Sequence, residues 1–282
     1  MKPLGDLQQE RNRESGHAWE LYESHRNRVT SIILSSMLAG QTNRICLLGA
    51  GNCNDVDLRV LAERGAEILL VDLDAEAMVR GVTRQGLAGD SSITCLPGID
   101  LTGLFNRLEL LSPESVSTEL VDQLAQDAEL YSPPELPGGF HVVASLCLLS
   151  QMIDAVLQKI PNQQVAIHLI RAIRQRHLQL LLNQCVPGGS AILFTEIVSS
   201  DTAPQLAQVK DSDLPGLLSQ LLASGNYFTG LHPGIIQQEV STHPALAALV
   251  SRCQNQPPWK WQFLCREYAV TAFVMEQCPQ QA

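Results

Sequence analysis

The stretch RICLLGAGNCNDVDL, which begins at Arg44, constrains the fold of this chain more than any other. Residues 45–48 are all apolar and are bounded by turn-forming residues, a pattern typical of a strand buried on both faces of a parallel sheet. Gly49 and Gly51 have no Cβ atom, so the chain can turn sharply and a ligand can approach the backbone there. The polar residues that follow are good helix N-caps, namely Asn52, Asn54 and Asp55. We therefore predict a strand, a glycine turn and a helix N-terminus.

A second apolar run, residues 68–71, ends in Asp72. Nucleotide-binding α/β folds place a ribose-binding carboxylate about 20 residues beyond their glycine turn, which is where Asp72 lies. The two features together indicate a site for a nucleoside-type cofactor. The alternative interpretation is a tight strand-to-helix turn followed by a capping Asp.

Apolar runs and helical patterns alternate through most of the chain. This alternation predicts a doubly wound α/β fold with a mostly parallel sheet. The predicted strands are 44–48, 67–71, 92–96, 140–145 and 190–196. The predicted helices lie near 55–65, 74–86, 114–129 and 163–185.

We expect a single domain over residues 1–282, built from four segments. Residues 1–40 form an N-terminal helical segment, loose up to about residue 16 and then helical as far as Gly40. Residues 41–200 form the cofactor-binding core. Residues 201–257 contain short helical patterns with several Gly and Pro and are predicted to be a helical cap insertion. In residues 258–282 the runs WKWQFL and YAVTAFVME predict an antiparallel hairpin of the same sheet.

Charge and cysteine usage exclude several classes of partner. The formal net charge of −10 disfavours binding to nucleic acid or to an anionic membrane. The eight cysteines are scattered singly without metal-ligand spacing, so we expect no metal site. No apolar run reaches the roughly 18 residues of a membrane span, and the polar N-terminus has no signal-peptide pattern. We therefore expect a cytoplasmic protein with reduced thiols.

The motifs, taken in order, resemble those of the class I S-adenosylmethionine (SAM)-dependent methyltransferases. LLGAGNC resembles the glycine-rich first motif, LLVDLDAEAM the second and TCLPGIDLTGL the third. GFHVVASLCLLSQM resembles the fourth strand, and LLLNQCVPGGSAILFTE resembles the helix, Pro-Gly-Gly turn and fifth strand that follow. The final hairpin is similar to the sixth and seventh strands, which distinguish this fold from a dinucleotide-binding domain. The resemblance implies a seven-stranded sheet.

The resemblance also implies a cofactor, a reaction and a set of cofactor-binding residues. The cofactor is SAM, and the reaction is an in-line displacement on its methyl group by a small-molecule acceptor. Asp72 would bind the ribose, Leu73 would pack on the adenine, and Ser145 would lie by the methionine end. Asp100 and Leu101 would border the adenine, although an Asp after a strand is also a common helix cap. The implied glycine loop consists of Gly49, Ala50, Gly51 and Asn52.

Two groups of residues are candidates for the acceptor side. Tyr22, His25 and Arg26 stand at i, i+3 and i+4 and therefore share one helix face. His25, with Tyr22, is the candidate catalytic residue because its intrinsic pKa suits a base near neutral pH. Arg26 could pair with a substrate carboxylate. The alternative is a polar stripe on a surface helix. Tyr227 and His232 could form a pocket wall, or else a turn with buried aromatic side chains.

Two other functions remain open at this point. The glycines and Asp72 alone would permit an NAD(P)-dependent oxidoreductase. A non-catalytic protein that binds SAM or S-adenosylhomocysteine is the other alternative, because Leu47, Cys53 and His141 replace residues usual in the first and fourth motifs. The sequence determines neither the acceptor atom nor the oligomeric state.

Overall fold

The structure of the protein is a computed structural model that describes residues 4–112, 116–133 and 135–279. In these residues the strands are β1 (Arg44–Leu48), β2 (Glu67–Asp72), β3 (Ile93–Pro97), β4 (Phe140–Leu146), β5 (Cys185–Ser199), β6 (Val250–Asn255), β7 (Trp259–Phe263) and β8 (Arg266–Gln277). They form one sheet in the order β3-β2-β1-β4-β5-β8-β6, with β7 also paired to β8. The first five strands are parallel, and β8 is antiparallel to β5.

β6 and β7 lie end to end along the outer edge of β8. β7 pairs with the beginning of β8, from Arg266 to Val270, and β6 pairs with its end, from Phe273 to Gln277. Pro257 and Pro258 separate the two short strands. Because proline has no N–H to donate to a ladder, the outermost strand is interrupted there. The sheet therefore has seven strand positions, as predicted, and the predicted hairpin is β7 and β8.

Helices cover both faces of the sheet. They are α1 (Leu4–Glu14), α2 (Glu23–Ser35), α3 (Leu58–Glu63), α4 (Ala75–Arg84), α5 (Phe105–Glu109), α6 (Thr118–Leu130), α7 (Leu148–Lys159), α8 (Gln163–Gln184), α9 (Leu214–Ala223), α10 (Pro233–Thr242) and α11 (Pro244–Ala247). In β1, Cys46 and Leu48 face the side of α6, α7 and α8, whereas Ile45 and Leu47 face α2, α3 and α4. All four side chains are buried, which explains why β1 is apolar along its length. The fold is therefore doubly wound, as predicted.

Some predicted boundaries differ from the structure. The N-terminal residues form the regular helix α1 rather than a loose segment, and residues 1–3 lie outside the described residues. The helix predicted to reach Gly40 ends at Ser35. The helix predicted near 114–129 is α6, which begins at Thr118, and residues 114 and 115 are outside the description.

Three elements were wrong or missing in the prediction. α7 was missed because its apolar residues continue directly from those of β4. β6 was assigned to the helical cap, but pairing with β8 outweighs the weak helical pattern of its sequence. The expected Pro-Gly-Gly turn lies inside β5, where the pairing with β4 shifts register between Phe140 and Val142.

Candidate cofactor site

The glycine turn after β1 is held against β2. The N–H groups of Gly49 and Ala50 both donate to the carbonyl of Val71, at 2.9 and 3.2 Å. Gly49 has φ +76°, and a Cβ there would lie 3.0 Å from the Cβ of Leu148. Gly51 has φ +46°. Both positions therefore need glycine, because the left-handed backbone disfavours a side chain and neighbouring atoms leave little room for one.

The predicted N-caps have another role. The helix after the turn begins later than expected, and Asp57 caps it by accepting the N–H of Val60 at 3.1 Å. The buried amide of Asn52 instead donates to the carbonyl of Asn12 and to Ser15 Oγ, and that of Asn54 donates to the carbonyl of Ser15. These hydrogen bonds attach the N-terminal segment to the glycine turn, so α1 lies across it.

Asp72 ends β2 and supports the glycine turn. Its Oδ2 accepts the N–H of Gly51 at 2.8 Å, and its Oδ1 accepts the N–H of Asp74 at 2.9 Å. The residue is 6 % exposed, and burial raises the pKa of its carboxyl. The N–H of Leu73 also approaches the carboxylate, which has about four lone-pair positions, so capacity for a further donor remains. The neighbouring Asp74 is the cap of α4 and accepts from Asn12 at 3.1 Å.

A cavity opens at the carboxyl ends of β1, β2 and β3. Five predicted cofactor residues line it, namely Gly49, Asp72, Leu73, Asp100 and Leu101. The other walls come from α1, α5 and α7, through residues that include Gln8, Phe105, Leu148, Gln151 and Met152. The structure thus brings together residues from separate predicted motifs.

Two of these side chains have specific environments. Leu73 is 37 % exposed, although it is a large apolar residue, and it lines the cavity. Asp100 accepts the N–H of Thr102 through Oδ1 and the N–H of Phe105 through Oδ2, each at 2.8 Å. Asp100 therefore acts as a local cap and also borders the cavity.

Other predicted cofactor residues do not line this cavity. Ala50, Gly51 and Asn52 are buried behind its wall. Ser145 has no exposed surface, and its hydroxyl is 2.8 Å from Nε2 of His177 in the layer between the sheet and α8. Burial lowers the pKa of His177 to about 4, so this imidazole is neutral at physiological pH.

Tyr22, His25 and Arg26 share a face, as expected, but they lie away from the cavity. All three are buried against the other side of the sheet. His25 stacks on Trp261 with ring centroids 4.5 Å apart, and its Nδ1 accepts the indole N–H of Trp259 at 3.1 Å. An indole only donates, so this bond occupies the lone pair that His25 would need as a base.

Arg26 and Tyr22, which share the helix face with His25, also make structural contacts. Arg26 donates to the carbonyl of Trp19 at 2.7 Å and stacks on its ring, rather than facing a free carboxylate position. Burial is the main cause of the raised pKa of Tyr22, which keeps its hydroxyl protonated.

The predicted residues of the cap lie near the end of β5. The N–H of Phe228 donates to the carbonyl of Ile197 at 2.8 Å, which fixes this loop at the carboxyl edge of the sheet. Tyr227 and His232 make an edge-to-face contact with centroids 4.9 Å apart, and His232 caps α10 through Nδ1. Neither residue lines the described cavity.

The sequence prediction missed several residues near the site. Asn12 and Gln8 come from a helix that was expected to be loose, and Gln151 comes from the missed helix α7. Gly81 of α4 packs on the glycine turn so closely that a Cβ would lie 2.4 Å from the carbonyl oxygen of Asn52. Glu196 lies at the end of a predicted strand, and that position was the sequence signal that could have identified it as a residue near the site.

The strand order distinguishes between nucleotide-binding folds. A dinucleotide-binding domain has six parallel strands in the order 3-2-1-4-5-6. Here an antiparallel strand, β8, is inserted between β5 and the outermost strand. The chain has the class I methyltransferase fold. This order also argues against the oxidoreductase alternative.

The chain is distantly similar to several solved methyltransferase structures. No protein-family model and no curated protein matches the chain. Among solved structures, CurJ carbon methyltransferase is 10 % identical with a TM-score of 0.49 over 93 % of this chain and 57 % of that one. An O-methyltransferase family protein from Burkholderia thailandensis is 12 % identical with a TM-score of 0.47 over 96 % and 60 %. A phosphoethanolamine N-methyltransferase 2 from Haemonchus contortus is 11 % identical with a TM-score of 0.45 over 90 % and 53 %. This chain thus spans little more than half of each of these structures.

The described residues contain neither a metal-binding cluster nor a membrane-spanning helix. No group of three or more His, Cys, Asp and Glu side chains in that part of the chain is arranged to hold a metal ion. None of its helices combines the length and apolar character that crossing a membrane requires.

Proposed function

We propose that this chain is a SAM-dependent methyltransferase that acts on a small-molecule acceptor. The observation that carries the proposal is the single cavity lined jointly by Gly49, Asp72, Leu73, Asp100 and Leu101 at the carboxyl edge of the sheet. Ligands of open α/β sheets bind at this edge. The eight cysteines are free thiols, which supports a cytoplasmic location.

The cavity residues fit such a cofactor. Asp72 has carboxylate lone-pair capacity beyond that used by Gly51, Leu73 and Asp74, and it suits a ribose hydroxyl. Leu73 and Leu101 offer apolar surface for the faces of the adenine ring. Gln151 has an Oε1 atom that is buried without a hydrogen-bond partner among the described residues, and it lies on the wall near Gly49. That acceptor suits the ammonium group of the methionine end.

The protein contributes binding and orientation to the reaction. When bound, SAM supplies a methyl group activated by a sulfonium. The left-handed turn at Gly49 allows the backbone to pass beneath the ligand, and Leu148 and Met152 exclude water from one side of the cavity. Holding the electrophile in a fixed, dry position accounts for most of the rate that such a site can provide.

Calorimetric titration with S-adenosylhomocysteine tests the proposal. We expect micromolar binding by the wild-type protein and roughly tenfold or greater weakening in Asp72→Asn, because a charge-assisted hydrogen bond contributes about 1.5 to 3 kcal/mol. Asp90→Asn, which changes an exposed carboxylate outside the cavity, should bind as the wild type does. Leu73→Ala should also weaken binding, whereas Val79→Ala, at another exposed apolar residue, should not.

Two results would contradict this proposal. One is the absence of binding by a folded wild-type protein. The other is binding of NAD in place of S-adenosylhomocysteine, which would revive the oxidoreductase alternative. Binding without formation of S-adenosylhomocysteine from SAM in the presence of a wide set of acceptors would favour the non-catalytic alternative.

A further inference from the structure

Glu196 is a buried carboxylate with an unused oxygen. It lies near the carboxyl end of β5 and is 7 % exposed, and its Oε2 has no hydrogen-bond partner among the described residues. Burial raises the pKa of this carboxyl to about 7. A buried polar atom without a partner is costly, so its presence at the functional edge of the sheet indicates that a ligand completes the site.

The charge around Glu196 favours a cation. The side chains of Ser150 and Cys147 approach its carboxylate, and Asp55 adds a second negative charge that raises its pKa further. Among the ion pairs in the described part of the chain, none includes Glu196. Asp55 has a basic neighbour in His25, whose Nε2 lies 3.2 Å from Oδ1 of Asp55, whereas Glu196 has none among the described residues, so the unmet need for positive charge is at Glu196.

The backbone around Glu196 is irregular in two places. The pairing of β5 with β8 shifts between Glu196 and Val198, which marks a β-bulge. Cys147, at the start of α7, has φ 51°, and its N–H donates to the carbonyl of Phe194 at 3.1 Å. Bulges and left-handed non-glycine residues are concentrated next to functional sites, where they direct side chains.

Aromatic rings lie near the two carboxylates, and Trp261 stacks on His25, which approaches Asp55. Burial first, and then the charges of Asp55 and Glu196, raise the pKa of Tyr22, and burial and Glu196 do the same for Tyr268. The Trp261 ring lies between these two rings, with centroids 5.3 Å from Tyr22 and 5.6 Å from Tyr268. We call Tyr22, Asp55, Glu196, Trp261 and Tyr268 the aromatic–acidic cluster. Aromatic faces attract organic cations, and carboxylates do so more strongly.

Glu196 is the member of the cluster nearest the cofactor cavity, from which the first turn of α7 separates it. Cys147 approaches Glu196 on one side of this turn. Leu148 and Gln151 line the cavity on the other side, and Gln151 Nε2 donates to the carbonyl of Cys147 at 3.3 Å. A methyl group held at this wall of the cavity would therefore be next to Glu196.

We propose that the aromatic–acidic cluster binds the methyl acceptor and that this acceptor is an amine. The inference rests on the proposed function for its reaction, but the binding preference is a property of the cluster itself. A protonated amine donates an N–H to Oε2 of Glu196, while the rings and Asp55 stabilise its charge.

The same carboxylate can activate the amine. An ammonium nitrogen has no lone pair, so one N–H bond must break, and its proton passes to Oε2 of Glu196. The freed lone pair forms the new N–C bond to the methyl group as the S–C bond breaks, and the electron pair of that bond stays on sulfur. Glu196 is suited to this step because its pKa of about 7 allows proton exchange near neutral pH.

The test compares benzylamine with benzyl alcohol, which have the same ring and similar size but differ in charge. Each is titrated, with and without saturating S-adenosylhomocysteine, above the pKa of Glu196, and the fluorescence of the cluster's tryptophan is followed. We expect benzylamine to bind at least about tenfold more tightly than benzyl alcohol, a difference of about 1.4 kcal/mol. Glu196→Gln should abolish the preference, and Glu63→Gln, at an exposed carboxylate of α3, should retain it.

The outcomes separate this inference from the proposed function. Equal binding of the two probes, binding of neither, or a preference unchanged in Glu196→Gln would overturn the amine site. If Glu196→Gln does not fold, Asp55→Asn takes its place and should reduce the preference severalfold. A preference for benzylamine in a protein that does not bind S-adenosylhomocysteine would overturn the cofactor assignment and leave the amine site standing. Binding of S-adenosylhomocysteine without a preference for benzylamine would overturn the amine site and leave the cofactor assignment standing.

Discussion

Trp259 donates its indole N–H to Nδ1 of His25 at 3.1 Å, and this bond fixes the state of the imidazole. Since the indole cannot accept, Nδ1 must carry the lone pair, and the ring proton of neutral His25 is on Nε2. Nε2 lies 3.2 Å from Oδ1 of Asp55, although not in line for a hydrogen bond. His25 is thus a packed and partnered core residue that joins β7 to α2.

The His25–Trp259 bond should contribute to stability and not to cofactor binding. We expect Trp259→Phe to lower the free energy of unfolding by about 1 to 3 kcal/mol, because it leaves a buried acceptor without a partner. Denaturant unfolding measures the loss, and calorimetry with S-adenosylhomocysteine should show unchanged affinity, because neither residue lines the cavity.

A double-mutant cycle isolates the bond from the lost packing. In a His25→Phe background, Trp259→Phe should cost about 1 kcal/mol less than it does in the wild type. Strict additivity of the two substitutions would refute the hydrogen bond, and a loss of cofactor affinity would return His25 to the site.

Gly81 determines how closely α4 approaches the glycine turn. An added Cβ would lie 2.4 Å from the carbonyl oxygen of Asn52 and 2.9 Å from Cβ of Cys53, so backbone must move. We expect Gly81→Ala to cost about 1 to 3 kcal/mol or more and to weaken binding of S-adenosylhomocysteine. Gly216→Ala is the matched control, because Gly216 is exposed within α9 and nothing lies within 4 Å of its added Cβ.

The two glycine variants should therefore have opposite effects on thermal stability. Gly216→Ala should raise the free energy of unfolding by about 0.5 to 1 kcal/mol, since alanine is the better helix former. If Gly81→Ala were as stable as this control and bound the ligand normally, the close approach of α4 to the turn would not matter for the site.

Glu196 should make the protein less stable as the pH rises. Its pKa is about 7 in the folded protein against an ordinary 4.5, so between these values the folded state keeps a proton that the unfolded state releases. The free energy of unfolding should fall across this interval by roughly 2 to 4 kcal/mol and stay lower above it. Glu196→Gln should remove the fall, which unfolding measured at several pH values would reveal.

His177 provides a control of opposite sign. Its pKa is about 4 in the folded protein against 6.5, so the unfolded state binds the extra proton and stability rises with pH between these values. The free energy of unfolding of Glu196→Gln, minus that of the wild type, should therefore increase as the pH rises. The same difference for His177→Gln should decrease. A Glu196→Gln curve parallel to the wild-type curve would show that Glu196 is not the group that titrates.

Much of the fold could be predicted because local pattern determines it. β1 and β2 are short, wholly apolar runs, and the glycine turn and Asp72 follow directly from the residues at their ends. Apolar residues repeat every two residues in a half-buried strand and every 3.6 residues in a helix, and a short stretch of sequence shows this repeat directly. β6 has no such pattern, because it is a strand by virtue of its pairing with β8.

The site was harder to predict because packing between distant elements forms it. The spacing of Tyr22, His25 and Arg26 correctly indicates a shared face, but helical period does not reveal which side of the sheet that face meets. Gln8 and Gln151 reach the cavity from helices that are far apart in sequence. Glu196 becomes distinctive only when its burial and unpartnered oxygen are known.

The ion pair between Arg174 and Glu239 holds the cap to the core. Arg174 of α8 donates through Nε and Nη2 to the two carboxylate oxygens of Glu239 in α10, at 2.7 and 2.5 Å, and through Nη1 to the carbonyl of Gly230 at 2.6 Å. The Arg174 side chain is only 4 % exposed and that of Glu239 11 %, so removing one partner leaves a buried charge unpaired. We expect Glu239→Ala to cost about 3 to 5 kcal/mol and to increase hydrogen exchange throughout α10.

Arg171 supplies the matched control at the same carboxylate. Its Nε is 3.8 Å from Oε1 of Glu239, but its side chain is 63 % exposed, so solvent screens the interaction. Arg171→Ala should therefore change the free energy of unfolding by less than about 1 kcal/mol and leave exchange in α10 as it is in the wild type. If the two substitutions had equal effects, the attachment of the cap would have to come from its apolar contacts, such as those of Ile236 and Val240, instead of the buried pair.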